Sequence, residues 1–425
     1  MSLSQELAEL ASRSPDEVER ERLRVLALTN VAAACGELGS AGRLVAAAAE
    51  RPDVPAERAR RLAMAFHART QDDFYPAGRM HVGAIALPVA LALGERVGDR
   101  LLEVLTAGYR VICAVSATYS ADAQARGMRP SGMFGPLGAA ATAAAAHELD
   151  IEATANAISL AATMSAGTNQ AWVAGTDEWL LEVGAAARAG IEAVELTMAG
   201  ARAADDGLEG RAGWARAFFD DEGASRLAAR LASDEPGIAG VAIKPYPVSG
   251  IAQVPTWLGC RAHAEALPRA VRVEVSEAEL SYPGSANRGP FRSRSDALMS
   301  IAFCVATGIA DGIVELARLE SPNDLADLVA RVEVTAADDL PEGAARVTVD
   351  SSVGGRTELH GSEDELLFPL LRELDPSEIA SRGEAPIDAV TDAFVALGPQ
   401  VPSAHTLGKA LRVAGGTAPA ALSQD

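Results

Sequence analysis

Three polar residues, far apart in this 425-residue chain, have the types that acid chemistry needs: His81, Arg129 and Lys244. His81 opens an apolar helical pattern over 81–95. A histidine at a helix N-terminus is disfavoured as a cation, which keeps the imidazole neutral and able to take a proton. A buried or capping histidine fits the same pattern. Just before it stand Asp72 and Asp73, either an acid/base cluster or acids at the end of a helix. No second His or Cys lies at a ligand spacing from them, so no metal is expected. Arg129 stands in a Gly/Pro stretch over 127–136. Its planar fork suits a bidentate grip on a carboxylate, and a solvated arginine fits equally well. Ser131 follows, just ahead of Gly132-Met-Phe-Gly-Pro-Leu-Gly138. That stretch is read as a glycine-rich loop opening a helix, either offering N–H groups to a carboxylate or turning tightly between packed helices. Its spacing is not that of a dinucleotide loop and no Walker lysine follows, so no cofactor is expected. Lys244 begins Lys-Pro-Tyr-Pro. Two prolines stiffen the backbone, which either aims the lysine into a cleft or makes the segment a linker.

A series of helical patterns must position these groups: 15–37, 41–50, 55–69, 81–95, 100–117, 137–149, 151–164 and 184–204. Pro15, Asp16 and Glu17 suit the first turn of the first, and Asp150 the N-cap of another. No strand signal precedes residue 240. Beyond it, 269–275, 330–335 and 345–349 alternate with period two, and Gly354-Gly355 offers a hairpin turn into 356–360. Helical patterns at 293–319 and 321–328 lie among them. The expected fold is mainly α. A large all-helical domain covers 1–241 and is rejoined by 363–412, a smaller α+β lid domain covers 242–362, and 413–425 form a disordered tail.

The formal net charge is −21 and aromatic residues are 4% of the chain. Such a field repels phosphate, which argues against nucleic acid and anionic membranes as partners. Abundant alanine and scarce aromatics favour closely packed helices. Cys35, Cys113, Cys260 and Cys304 form no CxxC pair, so a reduced, cytoplasmic setting is expected. The N-terminus has acids where a signal peptide has bases. Apolar runs such as 84–93 are too short to span a bilayer.

Taken together, these segments resemble the MmgE/PrpD family, which includes 2-methylcitrate dehydratase, cis-aconitate decarboxylase and iminodisuccinate epimerase. His67-Ala and Asp72-Asp73 look like its H-A-L-D-[FY]-D-D segment, and the segment from His81 like its H-P-S helix. Arg126-Gly-Met-Arg-Pro-Ser-Gly-Met-Phe-Gly resembles R-G-F-H-P-T-x-x-x-G, and Gly184-Ala-Ala-Ala-Arg-Ala-Gly190 resembles G-W-A-A-R-S-G. Lys244-Pro-Tyr-Pro matches K-P-Y-P, while Gly289-Pro290 and Ser300 fall where G-P and F-S-L-P-Y occur. The shared order and spacing carry the likeness over about 15–360.

The departures bear on function. Thr70 replaces the first acid of D-[FY]-D-D, Arg129 replaces the histidine of R-G-F-H-P, and Trp179 and Glu182 stand where a lysine and a histidine are expected. Val82 and Val248 replace a proline and a cysteine. The resemblance implies a lyase or isomerase, free of metal and cofactor, that abstracts a proton α to the carbonyl or carboxylate of a small organic acid. A place in secondary metabolism fits the departures. His81 is then the base, and Lys244 and Arg129 neutralise the developing charge. Asp72, Asp73, Ser131 and Trp179 complete the substrate-binding set, with Trp179 making the pocket more apolar. Turnover of 2-methylcitrate or cis-aconitate is not expected. The alternative is a non-catalytic binding or assembly protein with a decayed site. The family likeness also implies a homodimer formed through the helical domain.

Overall fold

The computed structural model describes residues 1–233 and 237–367. The expected helical return past 367 and the expected tail lie outside the described residues. The fold is mainly α with a smaller α+β part. The first long helix, Glu17–Cys35, starts at a reciprocal cap: the Asp16 side chain accepts from the Glu19 N–H, and Glu19 reaches back to the Asp16 N–H. The Gly83–Ala92 helix is apolar on nearly every face and almost wholly buried. Around it pack Pro55–Ala68, Leu101–Ala125, Pro130–Ala146 and Glu178–Met198. Leu101–Ala125 is long and apolar enough to cross a membrane, unlike the shorter runs the sequence suggested, but 72% of its most apolar window is buried inside the fold. All four cysteines are free thiols.

The stretch Gly132–Gly138 is not a loop. The helix begins at Pro130, so all three of its glycines lie inside Pro130–Ala146. Their missing side chains let helices approach closely. A Cβ at Gly132 would overlap the Ala166 carbonyl oxygen, one at Gly135 would meet Ile85 and Ala186, and one at Gly138 would meet Ile112 and the Gly108 carbonyl. Rigid backbone faces Gly132, so Gly132→Ala should destabilise by about 1–3 kcal/mol, read as a lowered denaturant midpoint at unchanged slope.

The four expected strands form one sheet of order β4-β3-β5-β6, from β3 (Ala270–Val275), β4 (Val332–Ala336), β5 (Ala344–Asp350) and β6 (Arg356–Ser362). The β3/β4 pair is parallel and the other two pairs are antiparallel. Val271, Val273 and Val275 point inward against the helices Gln253–Arg261 and Ile301–Asp311, which is why the segment alternates. Two further strands of two residues each, β1 (Asp73–Phe74) and β2 (Ala242–Ile243), pair antiparallel. They join a segment expected to hold no strand to the start of the second half. Two apolar clusters fill the interior. The second takes in Leu38, Val45, Met64 and Trp179 as well as the sheet, so packing is shared across residue 242.

Candidate active site

The β1/β2 pair builds the site. Its register sets Asp73 opposite Ile243 and Phe74 opposite Ala242, so Asp72 and Lys244 leave the pair side by side. Lys244 Nζ lies 3.5 Å from Asp72 Oδ1, and both side chains are fully buried. His67 comes from the last turn of Pro55–Ala68. The chain then turns sharply back through Thr70, a non-glycine residue at φ 57°, whose hydroxyl donates to the Arg69 carbonyl. A left-handed residue of this kind costs roughly 1–2 kcal/mol, and here it returns Asp72 to His67. The His67 Nδ1–H donates to Asp72 Oδ2 at 2.9 Å. His81, just ahead of Gly83–Ala92, brings its own Nδ1 to 3.0 Å from the same oxygen, at an angle that does not yet make a hydrogen bond. One buried carboxylate thus holds two imidazoles and an ammonium.

Behind His67 stands Arg129. Its Nη2 donates to His67 Nε2 at 2.9 Å, its Nη1 lies 3.6 Å from Glu182 Oε2, and its guanidinium sits 5.0 Å from the Trp172 ring centre. An arginine only donates, so His67 Nε2 must accept and Nδ1 must carry the hydrogen. This fixes the tautomer. His67, Asp72 and His81 bring potential ligand atoms within 4.8 Å of one another, close enough for a cation to be considered. A metal on His67 would need Nδ1 bare, and Arg129 keeps a hydrogen there, so the trio fits a hydrogen-bonded relay better than a metal centre.

Burial dominates the electrostatics. It pushes His67 down to about 3 against the pull of Asp72, and it lowers His81 from 6.5 for the same reason. Both imidazoles are therefore neutral near pH 7. Burial opposes the charge on Asp72, but His67, His81 and Lys244 outweigh it and hold the carboxyl well below its usual range. Burial lowers Lys244 despite Asp72. Between pH 6.5 and about 3 the unfolded chain binds the proton that folded His67 refuses. Stability from this group is therefore lost as the pH drops across that window, by up to about 1.4 kcal/mol per unit. Asp73 works in the opposite direction: burial lifts it to about 6, so stability from it falls as pH rises from 3.8 to 6. His67→Gln should flatten the loss of melting temperature between pH 6.5 and 4, read by thermal unfolding across that range.

A cleft of about 530 Å³, counting space open to solvent at its mouth, lies over these groups. His81, Lys244, Arg129 and Ser131 all line it. Asp72 lies beneath the lining, touching His67, His81 and Lys244. Asp73 and Trp179 correct the sequence reading, because neither reaches the cleft. Asp73 accepts from the Gly83 N–H at 2.8 Å and the Tyr109 hydroxyl at 2.5 Å, so it anchors the helix behind His81. The Trp179 ring packs edge-on against His67 and stacks on Trp172, and its Nε1–H donates to Ser295 Oγ. It buttresses the wall from behind. His67, Arg79 and Tyr282 also line the cleft and were not singled out. His67 was within reach, because it stands in the same short segment as Asp72. Arg79 and Tyr282 sit in segments with no pattern of their own.

Residues 29–227 match the family model for the MmgE/PrpD N-terminal domain. This match supports membership of the MmgE/PrpD family. Dehydratase- or lyase-type chemistry goes with that membership. A search of curated proteins found no match. Against the MmgE/PrpD pattern, the two departures Arg129 and Glu182 sit together as an ion pair, and Thr168 N–H also donates to Glu182 at 2.9 Å. Two positions expected to hold histidines thus carry a matched arginine and carboxylate that hold His67 in place.

Proposed function

We propose that this MmgE/PrpD chain is a lyase or isomerase that removes a proton α to the carbonyl or carboxylate of a small organic acid. The observation that carries this reading is one buried carboxylate, Asp72, set between a neutral His81 and an unbonded Lys244 at the floor of a cleft. With Nδ1 turned to Asp72 at 3.0 Å, the other His81 nitrogen is the atom left to take the proton. Asp72 steadies the imidazolium that forms, as a carboxylate does for a catalytic histidine elsewhere. Lys244 Nζ makes no hydrogen bond among the described residues, so it is free to meet the developing enolate oxygen. Arg129 acts on the cleft from behind His67. Tyr282 supplies an acid. Burial raises its pKa, so the phenol stays protonated, and its hydroxyl lies 3.4 Å from Asn169 Oδ1. It is the donor for a departing hydroxyl or for reprotonation.

The test is hydrogen exchange. A set of 2-oxo and 3-oxo acids is incubated in D₂O with the full chain, and loss of the α-proton signal is followed by NMR. Enzyme-dependent exchange with at least one acid is expected, and none with any would leave a binding protein. Tyr282→Phe should retain exchange and lose any elimination that follows it.

We also propose a homodimer through the helical domain. Leu181, Leu196 and Met198 stand 39%, 44% and 54% exposed along the Glu178–Met198 helix, with the Arg188–Glu192 ion pair between them, a mixed face that a two-fold contact can cover. Sedimentation at micromolar concentration should show a dimer, and a monomer alone would end this proposal.

A further inference from the structure

Resting on the organic-acid reading above, we propose that the cleft takes a monocarboxylate bearing an apolar substituent, rather than a di- or tricarboxylate. Two independent features of the cleft point there.

The first is charge. Three cations line the cleft, and each already faces a carboxylate: Lys244 faces Asp72 at 3.5 Å, Arg129 faces Glu182 at 3.6 Å, and Arg79 faces Glu342 at 2.8 Å. Both lining histidines are neutral. The cleft therefore offers no surplus positive charge, within a chain of net charge −21. Arg129 is further engaged by His67 and by the Trp172 ring. Arg79 and Arg129 each keep one buried Nη1 without a hydrogen-bond partner but spend Nη2 on Glu342 and His67, whereas the whole Lys244 ammonium, with its three N–H groups, makes no hydrogen bond among the described residues. One ligand carboxylate satisfies it. A second or third would enter a desolvated site and meet only arginines whose charge already faces Glu182 and Glu342.

The second is the wall. Phe74, Trp172, Ile251, Leu298 and Met299 line the same cleft. Phe74 lies against His81, with ring centres 5.7 Å apart, so apolar surface begins beside the base itself. A tricarboxylate presents polar oxygens to such a wall and leaves them without partners. An alkyl or aryl substituent covers it and releases water.

The probes are acetate, butanoate, hexanoate, octanoate and citrate, titrated into the full chain by calorimetry at fixed ionic strength. Affinity should rise by about fourfold for each CH₂ buried until the cleft is filled. Hexanoate should bind at least tenfold more tightly than citrate. Lys244→Met should weaken hexanoate by tenfold or more, and Ile251→Ser should weaken hexanoate severalfold and acetate far less. Citrate binding as tightly as hexanoate, affinity flat with chain length, or no acid binding at all would each overturn the proposal. Failure of the chemistry is read separately. Tight hexanoate binding without α-exchange of any oxo acid, 2-oxohexanoate included, removes proton abstraction and leaves the ligand class standing. Exchange that favours tricarboxylic oxo acids removes the class and leaves proton abstraction.

Discussion

His81→Gln is expected to lower the rate of α-hydrogen exchange by about 10²–10⁴-fold while the chain stays folded. Glutamine nearly preserves the shape of the imidazole and can still turn an N–H toward Asp72 Oδ2, which now lies 3.0 Å from Nδ1. It has no basic nitrogen to take the proton. Folding should tolerate the change, because His81 is 14% exposed at its side chain and precedes the helix rather than lying within it. Circular dichroism and melting temperature should therefore stay close to those of the parent while exchange is lost. The pH profile adds a second readout. Burial lowers His81 from 6.5, so the acidic limb of the exchange rate should fall below that value, and activity should be flat through neutrality. Lys244→Met should behave differently, weakening binding and rate together, since an ammonium facing an anion acts in the ground state and the transition state alike. Full activity in His81→Gln would assign the base to another group. An acidic limb above 6.5 would contradict the burial that sets the imidazole.

The likeness between sequence and fold is uneven for physical reasons. The strands of the four-stranded sheet were legible because one face is buried. Val271, Val273 and Val275 alternate with Arg272 and Glu274, and that period survives in the sequence. The two-residue strands β1 and β2 have no room for a period. Yet their pairing sets Lys244 beside Asp72, and only the family likeness brought those two residues together beforehand. Gly132, Gly135 and Gly138 read as a loop because glycine signals turns, whereas here glycine admits neighbouring backbone and side chains to a helix face. Asp72 and Asp73 are adjacent and identical in type, so nothing local tells them apart. The fold turns them to different partners, one to the histidines and the other to Tyr109 and the Gly83 N–H. The role of Arg129 was half legible. An arginine near a carboxylate-binding site reads as a clamp, and only the fold shows its fork taken up by His67, Glu182 and Trp172.

Asp72→Asn should have the largest effect on stability, about 3–5 kcal/mol, because it strands Lys244 as a buried charge without its nearest counter-ion. The amide also turns its N–H₂ toward one of two groups that already donate, the His67 Nδ1–H or the ammonium. Lys244→Met should be milder, since Asp72 keeps the His67 hydrogen bond at 2.9 Å and the nearby His81. The double variant should then lose less than the two single losses combined, the mark of coupled neighbours. Two pH windows separate this from a general packing defect. The carboxyl of Asp72 is held well below 3.8, so its stabilisation is complete above that value and is lost only as pH falls through the lowered one. Lys244 is lowered from 10.5, so the unfolded chain binds the extra proton in the interval below 10.5, and stability from this group rises with pH there. Without Asp72 the ammonium is lowered further and sheds its proton sooner. Raising the pH from 7 to 9 should therefore restore part of the stability lost in Asp72→Asn and little in Asp72→Asn/Lys244→Met, as read from denaturant midpoints at both pH values. A loss under about 1 kcal/mol with no recovery at high pH would mean that water reaches the pair, and that Lys244 is not the desolvated cation on which the proposed chemistry depends.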